Sequence, residues 1–262
     1  MRQLFAGNVI PPSRLSPISQ NILKYIPLPN AVSEPTSNAT NNFVPASTRQ
    51  NKMAMLSIRG DQQWNNNHHS FAVVRWAHED EVLDDYFNGP PTGTTQSRLP
   101  KNLGLDHVCT LSPSKILDLR WNLTRYEEPG QNNGAGFDPT SLGFPKSFVS
   151  QLRKPSFPRI VGIAGDFGVD NAGSYTMNTY HSWSAGLTHV LGKHTMRYGA
   201  EYWVLQQANA SIGNQGLFNF DNSNWTRQQA TVSGGTGIGS QLASFLLGLP
   251  NPTFALGAHY RP

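Results

Sequence analysis

LGLDHVCTLSPSKILDLRWNLTRYE, residues 103–127, is the stretch from which the fold can be argued. In its second half, apolar residues occupy every odd position from 117 to 123, and polar residues occupy every even position from 118 to 124. Successive side chains of a strand point to opposite sides, so this period of two predicts a strand with one apolar and one polar face. A second strand over 103–111 precedes the turn Ser112-Pro113-Ser114, because proline cannot continue a hydrogen-bonded ladder. The stretch therefore predicts an antiparallel hairpin.

The same alternation predicts hairpins over 52–78 and 176–207, turning near residues 64–67 and 191–193. Each arm has about nine or more residues, which suits a tilted strand crossing a bilayer better than a soluble strand of about five or six. Long polar connections, 79–102 and 128–173, separate the hairpins, and compact soluble domains rarely contain such loops. Short turns alternating with long loops are typical of outer-membrane barrels. The predicted fold class is all-β: an antiparallel transmembrane β-barrel segment, an incomplete barrel with long external loops carrying short helices. A soluble all-β fold is the alternative.

The remaining segments are predicted to be external loops. Residues 1–50 contain one helix signal, with Ser16 as the cap and Pro17 at the first helical position. Residues 208–262 are predicted to hold an external loop and the next strand, with a short helix from Gln241 to Leu247.

The alternation also assigns side chains to two environments. One set of apolar residues is predicted to face lipid: Leu56, Ile58, Leu117, Leu119, Trp121, Leu123, Trp183, Leu187, Tyr198 and Tyr202. A polar set is predicted to face the lumen: Arg59, Asp61, Asp118, Arg120, Asn122, Arg197 and Glu201. Cross-strand ion-pair ladders are the first interpretation of the charged members, and contact with a transported ligand is the second.

Composition and motifs exclude several classes of function. Charged residues make up only 14% of the chain, against about 25% in ordinary globular proteins. The net charge of +4 includes no basic block, which argues against nucleic acid as a partner, and the single cysteine, Cys109, excludes a disulfide framework. No run of 18 apolar residues occurs, so no transmembrane helix is expected.

No motif for a cofactor, a metal or catalysis is recognised. His68-His69 and His78-Glu79-Asp80 lack a third ligand at a diagnostic spacing, and the glycine-rich stretch 233–239 lacks the Lys-Ser/Thr of a phosphate-binding loop. The expectation is therefore no cofactor, no metal and no enzymatic activity.

Three stretches resemble TonB-dependent outer-membrane transporters of the Oar-like class. FAGNVIPPSRLSPISQNILKYIPLPN, residues 5–30, resembles a loop of that family, NLGLDHVCTLSPSKILDLRWNLTRYEEP, residues 102–129, resembles a strand–turn–strand, and SQLASFLLGLPN, residues 240–251, resembles a loop helix. Family members have a regulatory-like N-terminal domain, a plug, a TonB-contacting segment and a 22-stranded barrel. The resemblance implies the bacterial outer membrane as the location and the transport of a nutrient or polypeptide without chemistry. It also implies three partners: outer-membrane lipid, an unknown transported ligand, and the TonB complex through a plug region.

The resemblance also suggests where this chain lies within such a protein. No signal peptide opens the chain, and neither a plug nor a regulatory-like domain is recognised, so 1–262 is expected to be an internal part of the barrel domain. The alternative function is a surface or soluble β-rich protein that binds glycans through exposed aromatic residues. A surface hydrolase is a third class, which no motif specifically supports.

Overall fold

The computed structural model describes residues 5–32, 42–163, 165–169, 171–213, 216–220 and 238–251. Its main feature is a seven-stranded antiparallel sheet, accompanied by a two-stranded parallel sheet. The strands, in chain order, are β1 Gln50–Asn65, β2 His68–Leu83, β3 Thr94–Arg98, β4 Lys101–Ser112, β5 Lys115–Asn132, β6 Arg159–Val161, β7 Gly173–Leu191, β8 His194–Ile212 and β9 Leu217–Asn219.

Strands β3 and β4 form one interrupted strand. Both lie between β2 and β5, and both keep a single register against each neighbour. Pro100 lies in the break, where the missing backbone N–H removes a ladder hydrogen bond. The large sheet is therefore an antiparallel meander in chain order, which confirms the predicted all-β fold class. Within the described ranges the barrel is not closed, since β1 pairs only with β2 and β8 only with β7.

Three two-residue turns lie at one end of the large sheet, which we call the turn end. They are Asn66-Asn67, Pro113-Ser114 and Gly192-Lys193. Trp64 and Leu111 are the extra residues where the register shifts beside the first two turns. Gly192 has a φ of 58°, a value that glycine adopts without the steric cost of a Cβ. All long connections lie at the opposite end, which we call the loop end.

The prediction of a polar connection over 79–102 is wrong. Strand β2 continues to Leu83 and β3 begins at Thr94, so the connection comprises only residues 84–93. The charged residues that suggested a loop are strand residues in ion pairs: Arg98 contacts Glu79 at 3.3 Å and Glu81 at 3.0 Å across neighbouring strands. A polar composition does not indicate whether the backbone is extended.

The segments outside the hairpins fold together at the loop end, and we call them the loop subdomain: residues 5–32, 84–93, 133–172, 216–220 and 238–251, where described. Three α-helices lie in it, α1 Pro17–Leu23, α2 Lys146–Val149 and α3 Ile238–Leu246, together with short 3-10 helices at Ala6–Asn8, Pro12–Arg14 and Pro139–Leu142. The backbone N–H of Ser19 donates to the Ser16 hydroxyl, as the predicted cap requires. The Gly-rich residues 233–237 and the predicted next strand beyond 251 lie outside the described residues.

An aromatic core holds the loop subdomain together. Phe157 and Phe245 are fully buried, and Ile22 and Leu142 are nearly so. The Phe157 ring lies 5.1 Å from the ring of Phe137, and other members of the core come from all the connecting segments. The sequence predicts these segments as loops with short helices, whereas they form the best-buried apolar cluster of the described chain.

No helix in the described part of the chain is long and apolar enough to cross a membrane.

Candidate functional site

The strand register sorts the side chains of the large sheet onto two faces. One row of directly opposed residues crosses all six strand positions, and its members are Gly60, Ala72, Leu105, Trp121, Trp183 and Tyr202. We call the face that carries this row the apolar face. All ten residues predicted to face lipid lie on it, because every strand keeps the same alternation in register with its neighbours. Their contact with lipid stays a prediction.

The opposite face is the polar face. Its corresponding row consists of Asp61, Phe71, Asp106, Arg120, Ser184 and Glu201. All seven residues predicted to face a lumen lie on this side of the sheet, in this row or in the rows beside it. Hairpins predicted separately from sequence thus combine into one surface of each kind.

Charged residues bound the apolar face at both ends. On β5, Lys115 and Arg125 lie on this face, and the four same-face residues between them are Leu117, Leu119, Trp121 and Leu123. At a rise of about 3.3 Å per residue and a tilt of about 40°, the ten steps from Lys115 to Arg125 span about 25 Å along the membrane normal. Outer-membrane barrels have an apolar band about 25 Å tall. We call residues 117–123 and their neighbours on the apolar face the apolar band.

The apolar band runs obliquely to the strands. On β1, Gln62 is the first polar residue at the turn side of the band. The row of Gln62 ends on β8 at Ala200, and there apolar residues continue on the same face through Tyr198 to Met196. A band perpendicular to the strands would keep to one row of residues. The drift toward the turn end is expected when strands tilt relative to a membrane plane.

Arg120 is the centre of the ion pairing on the polar face. Its Nε donates to Asp106 at 2.6 Å across the β4–β5 pair, and a terminal guanidinium nitrogen donates to Asp118 at 2.6 Å along β5. The Asp106 side chain is only 4% exposed, and Arg120 is the partner that compensates for the burial of a carboxylate there. Arg59 pairs with Asp61 on the same strand at 2.7 Å, and its guanidinium lies 3.9 Å from the centre of the Phe71 ring. Two of these ion pairs, Arg59–Asp61 and Arg120–Asp118, therefore run along single strands, whereas Arg120–Asp106 crosses between strands.

A shallow depression of about 350 Å³ lies beside Arg120 on the polar face. Gly186 and Gly199 oppose each other on β7 and β8 and leave its floor without side chains. Asp118, Arg120 and Glu201 line it, so three of the predicted residues converge there. Sequence reasoning missed Asp106 and the two glycines, although Gly186 and Gly199 occupy polar-face positions in the alternation.

A family comparison agrees with the two-faced sheet. The family described as "Outer membrane beta barrel domain" matches residues 1–261. The chain belongs to the outer membrane β-barrel domain family. The protein is accordingly located in the bacterial outer membrane. Neither a curated protein nor a solved structure matches the chain.

A second ion cluster of this barrel segment lies near the loop end of the polar face. The Glu81 side chain is 3% exposed and accepts hydrogen bonds from Arg98 at 3.0 Å and from Arg49 at 2.6 Å. Arg49 directly precedes β1, so the pair ties the entry of the barrel segment to β2. The alternation pattern does not predict this cluster, because it assigns residues 79–102 to a loop.

A groove of about 820 Å³ lies mainly on the apolar face of the barrel segment. Gly60, Ala72, Ala185 and Ala200 form parts of its lining that have little or no side chain. The tryptophan and tyrosine side chains that line it are Trp64, Trp121, Trp183 and Tyr202. His181 stacks between Trp121 and Trp183, with ring centroids at 6.2 Å and 5.4 Å. This apolar lining suits hydrocarbon, whereas the depression beside Arg120 suits a polar ligand.

In the described residues, no group of three or more His, Cys, Asp or Glu side chains is arranged to hold a metal ion. The three residues of His78-Glu79-Asp80 alternate between faces: His78 contacts Asp80 at 2.9 Å, and Glu79 lies opposite Arg98 on the other face.

Proposed function

We propose that the chain is part of the barrel of a TonB-dependent outer-membrane transporter. It would move a nutrient or polypeptide across the outer membrane with energy supplied from the inner membrane, and without chemical change to the substrate. That the protein is an outer membrane β-barrel protein rests on the family match and on the sheet with one apolar and one polar face.

The observation that supports TonB-dependent transport is the packing of two stretches that resemble the Oar-like class and are distant from each other in sequence. Residues 5–30 and 240–251 each resemble a loop of the Oar-like class. The N–H of Ser16 donates to the carbonyl of Leu246 at 2.8 Å, and the buried Ser19 hydroxyl donates to the carbonyl of Phe245. A Cβ on Gly248 would lie 2.8 Å from the Ser16 side chain, so this contact needs glycine. Two motifs recognised independently thus form one structural unit, as parts of a shared family architecture should.

The two faces supply the surfaces that such a transporter needs. The apolar band would contact outer-membrane lipid, because its height matches the apolar belt of a barrel. The polar face would line the lumen, where the depression beside Arg120 offers charges of both signs to a passing substrate. In this proposal the TonB complex contacts the plug region of the transporter.

The test is a comparison of uptake in the native bacterium. Wild-type cells, cells lacking this gene and cells lacking the TonB complex are grown in the same rich medium, and the compounds removed from the medium are measured by mass spectrometry. We expect at least one compound to remain in the medium in both deletion strains.

Two controls separate transport from loss of the protein. Restoring the gene should restore depletion of that compound, and the protein must remain in the outer membrane of the TonB-deficient strain. Uptake that requires this gene but proceeds without the TonB complex would indicate a passive barrel and contradict the proposal.

A further inference from the structure

Two histidines from neighbouring strands meet near the turn end of the sheet. His68 begins β2, immediately after the Asn66-Asn67 turn, and His107 lies on β4. His68 Nδ1 lies 3.2 Å from His107 Nε2, and the ring centroids are 5.4 Å apart. Both side chains are half-buried. The pair lies on the apolar face, where His107 opposes Leu119 of the apolar band and His68 lies nearer to the turns.

The outer nitrogen of each ring has its own partner. His107 Nδ1 lies 2.7 Å from the Ser70 hydroxyl, and His68 Nε2 lies 3.6 Å from the sulfur of the buried Cys109. Register explains the arrangement, because His68 opposes Cys109 and Ser70 opposes His107. The result is a chain of four side chains, Ser70–His107–His68–Cys109, in which the two inner nitrogens face each other.

We propose that His68 and His107 together bind one divalent transition-metal ion of the Zn²⁺, Ni²⁺ or Cu²⁺ class. Imidazole is a preferred ligand of these ions. Two nitrogens that are each about 2.0–2.1 Å from one tetrahedral ion lie about 3.3 Å apart, close to the 3.2 Å separation found here. The site is a pair with open positions for water, so it differs from the cages of three or more protein ligands that the described residues lack.

The tautomers of the two rings can adapt to a bound ion. Without metal, one proton lies between the two inner nitrogens, because two lone pairs cannot face each other at this distance. An ion takes its place when that proton moves to the outer nitrogen of the same ring, so that His107 Nδ1–H donates to Ser70 and His68 Nε2–H donates to Cys109 while both rings stay neutral. Ser70 and Cys109 would then fix both tautomers, as partners of metal-bound histidines commonly do. A bound ion would join β2 to β4 beside their turns.

Calorimetric titration of the full chain, without an affinity tag and folded in detergent micelles, tests the proposal with Ni²⁺ as the probe. We expect one ion per chain, and at least a tenfold loss of affinity in both His68→Ala and His107→Ala. Ser70→Ala should weaken binding by about tenfold, because only the orienting hydrogen bond is lost.

His69→Ala is the matched control. His69 is adjacent in sequence but points to the polar face, where it lies 3.5 Å from Asp61. It should bind Ni²⁺ as the wild type does. Equal loss in all three histidine variants, no loss in either member of the pair, or no binding by the wild type would overturn the proposal.

A second measurement uses the wild-type protein and so does not depend on how a substitution affects folding. Diethyl pyrocarbonate modifies accessible histidines of the wild-type protein, and mass spectrometry reads each site. Ni²⁺ should protect His68 and His107 together and leave His69 unchanged. Modification of His68 and His107 that is independent of Ni²⁺ would contradict the site without any variant. The proposal does not depend on TonB-dependent transport, so either can fail alone.

Discussion

Leu119→Arg tests the assignment of the two faces most directly. Leu119 lies on the apolar face of β5, with its side chain 42% exposed in the isolated sheet, between His107 and Ala185 on the neighbouring strands. It is four residues from Lys115, or about 10 Å along the membrane normal at a rise of about 3.3 Å and a tilt of about 40°. The substitution therefore introduces a charge near the middle of the apolar band.

Arginine costs about 2–4 kcal/mol at the midplane of a barrel. The depth of about 10 Å allows the side chain to extend toward the turn-side boundary, so we expect a loss of about 2–3 kcal/mol in the free energy of unfolding. That equals roughly a 30- to 140-fold decrease in the folding equilibrium constant. The assay is urea unfolding of the protein in lipid vesicles, followed by tryptophan fluorescence.

Asn122→Arg is the matched control on the same strand. Asn122 lies on the polar face, opposite Gly104 and Ser182, so the new charge should remain in water and change stability by less than about 0.5 kcal/mol. Similar losses in the two variants would refute the assignment.

A labelling experiment separates a lipid-facing position from a soluble core. Single cysteines replace Leu119 and Asn122 in a Cys109→Ser background. The first should react with lipid-phase labels and the second with water-phase reagents. Equal access of both sites to water-phase reagents would instead favour a surface β protein of the glycan-binding kind.

Three further predictions concern the ion pairs and the loop subdomain. Arg120→Ala should lower the free energy of unfolding by about 1–3 kcal/mol, because it leaves the 4%-exposed Asp106 carboxylate without its partner. Urea unfolding should show that this loss is substantially reduced in the Asp106→Ala/Arg120→Ala double variant. Full additivity of the two single losses would show that the pair is not coupled. Gly168→Ala should disrupt the loop subdomain, because its Cβ would lie 1.9 Å from the Pro158 carbonyl oxygen. Gly136→Ala is the control: its φ is also positive but its Cβ would enter open space, so it should lower the free energy of unfolding by only about 1–2 kcal/mol. Equal hydrogen-exchange rates in the loop peptides of the two variants would contradict this prediction. Hydrogen bonds from the Thr140 hydroxyl and backbone N–H lower the pKa of Asp138. Its stabilisation of the Pro139–Leu142 helix is therefore present in full above the ordinary carboxyl pKa and is lost as pH falls through the lower folded-state pKa. Hydrogen exchange in this helix should accelerate as pH falls below the ordinary carboxyl pKa in the wild type, and Asp138→Asn should lose that dependence.

The hairpins and their faces could be predicted from sequence because each depends on neighbours along the chain. Alternation fixes which side a residue takes, and a proline or glycine near an alternating run fixes where the strand turns. Alternation alone therefore predicts on which face of the sheet each residue from Leu117 to Thr124 lies, without knowledge of any partner strand. The same local logic failed over 79–102, where Glu81 and Arg98 looked like loop residues because their ion-pair partners are distant in sequence.

Tertiary structure alone decided which surfaces the hairpins make together. The register brings Asp106 to Arg120, opposes Gly186 to Gly199, and places His68 beside His107 from a strand that begins more than 30 residues later. It also assembles Ile22, Phe157 and Phe245 into one buried core from segments that carry no periodic pattern. The physical reason is that facing is a property of one strand, whereas register and packing depend on contacts between segments that the sequence does not place next to each other.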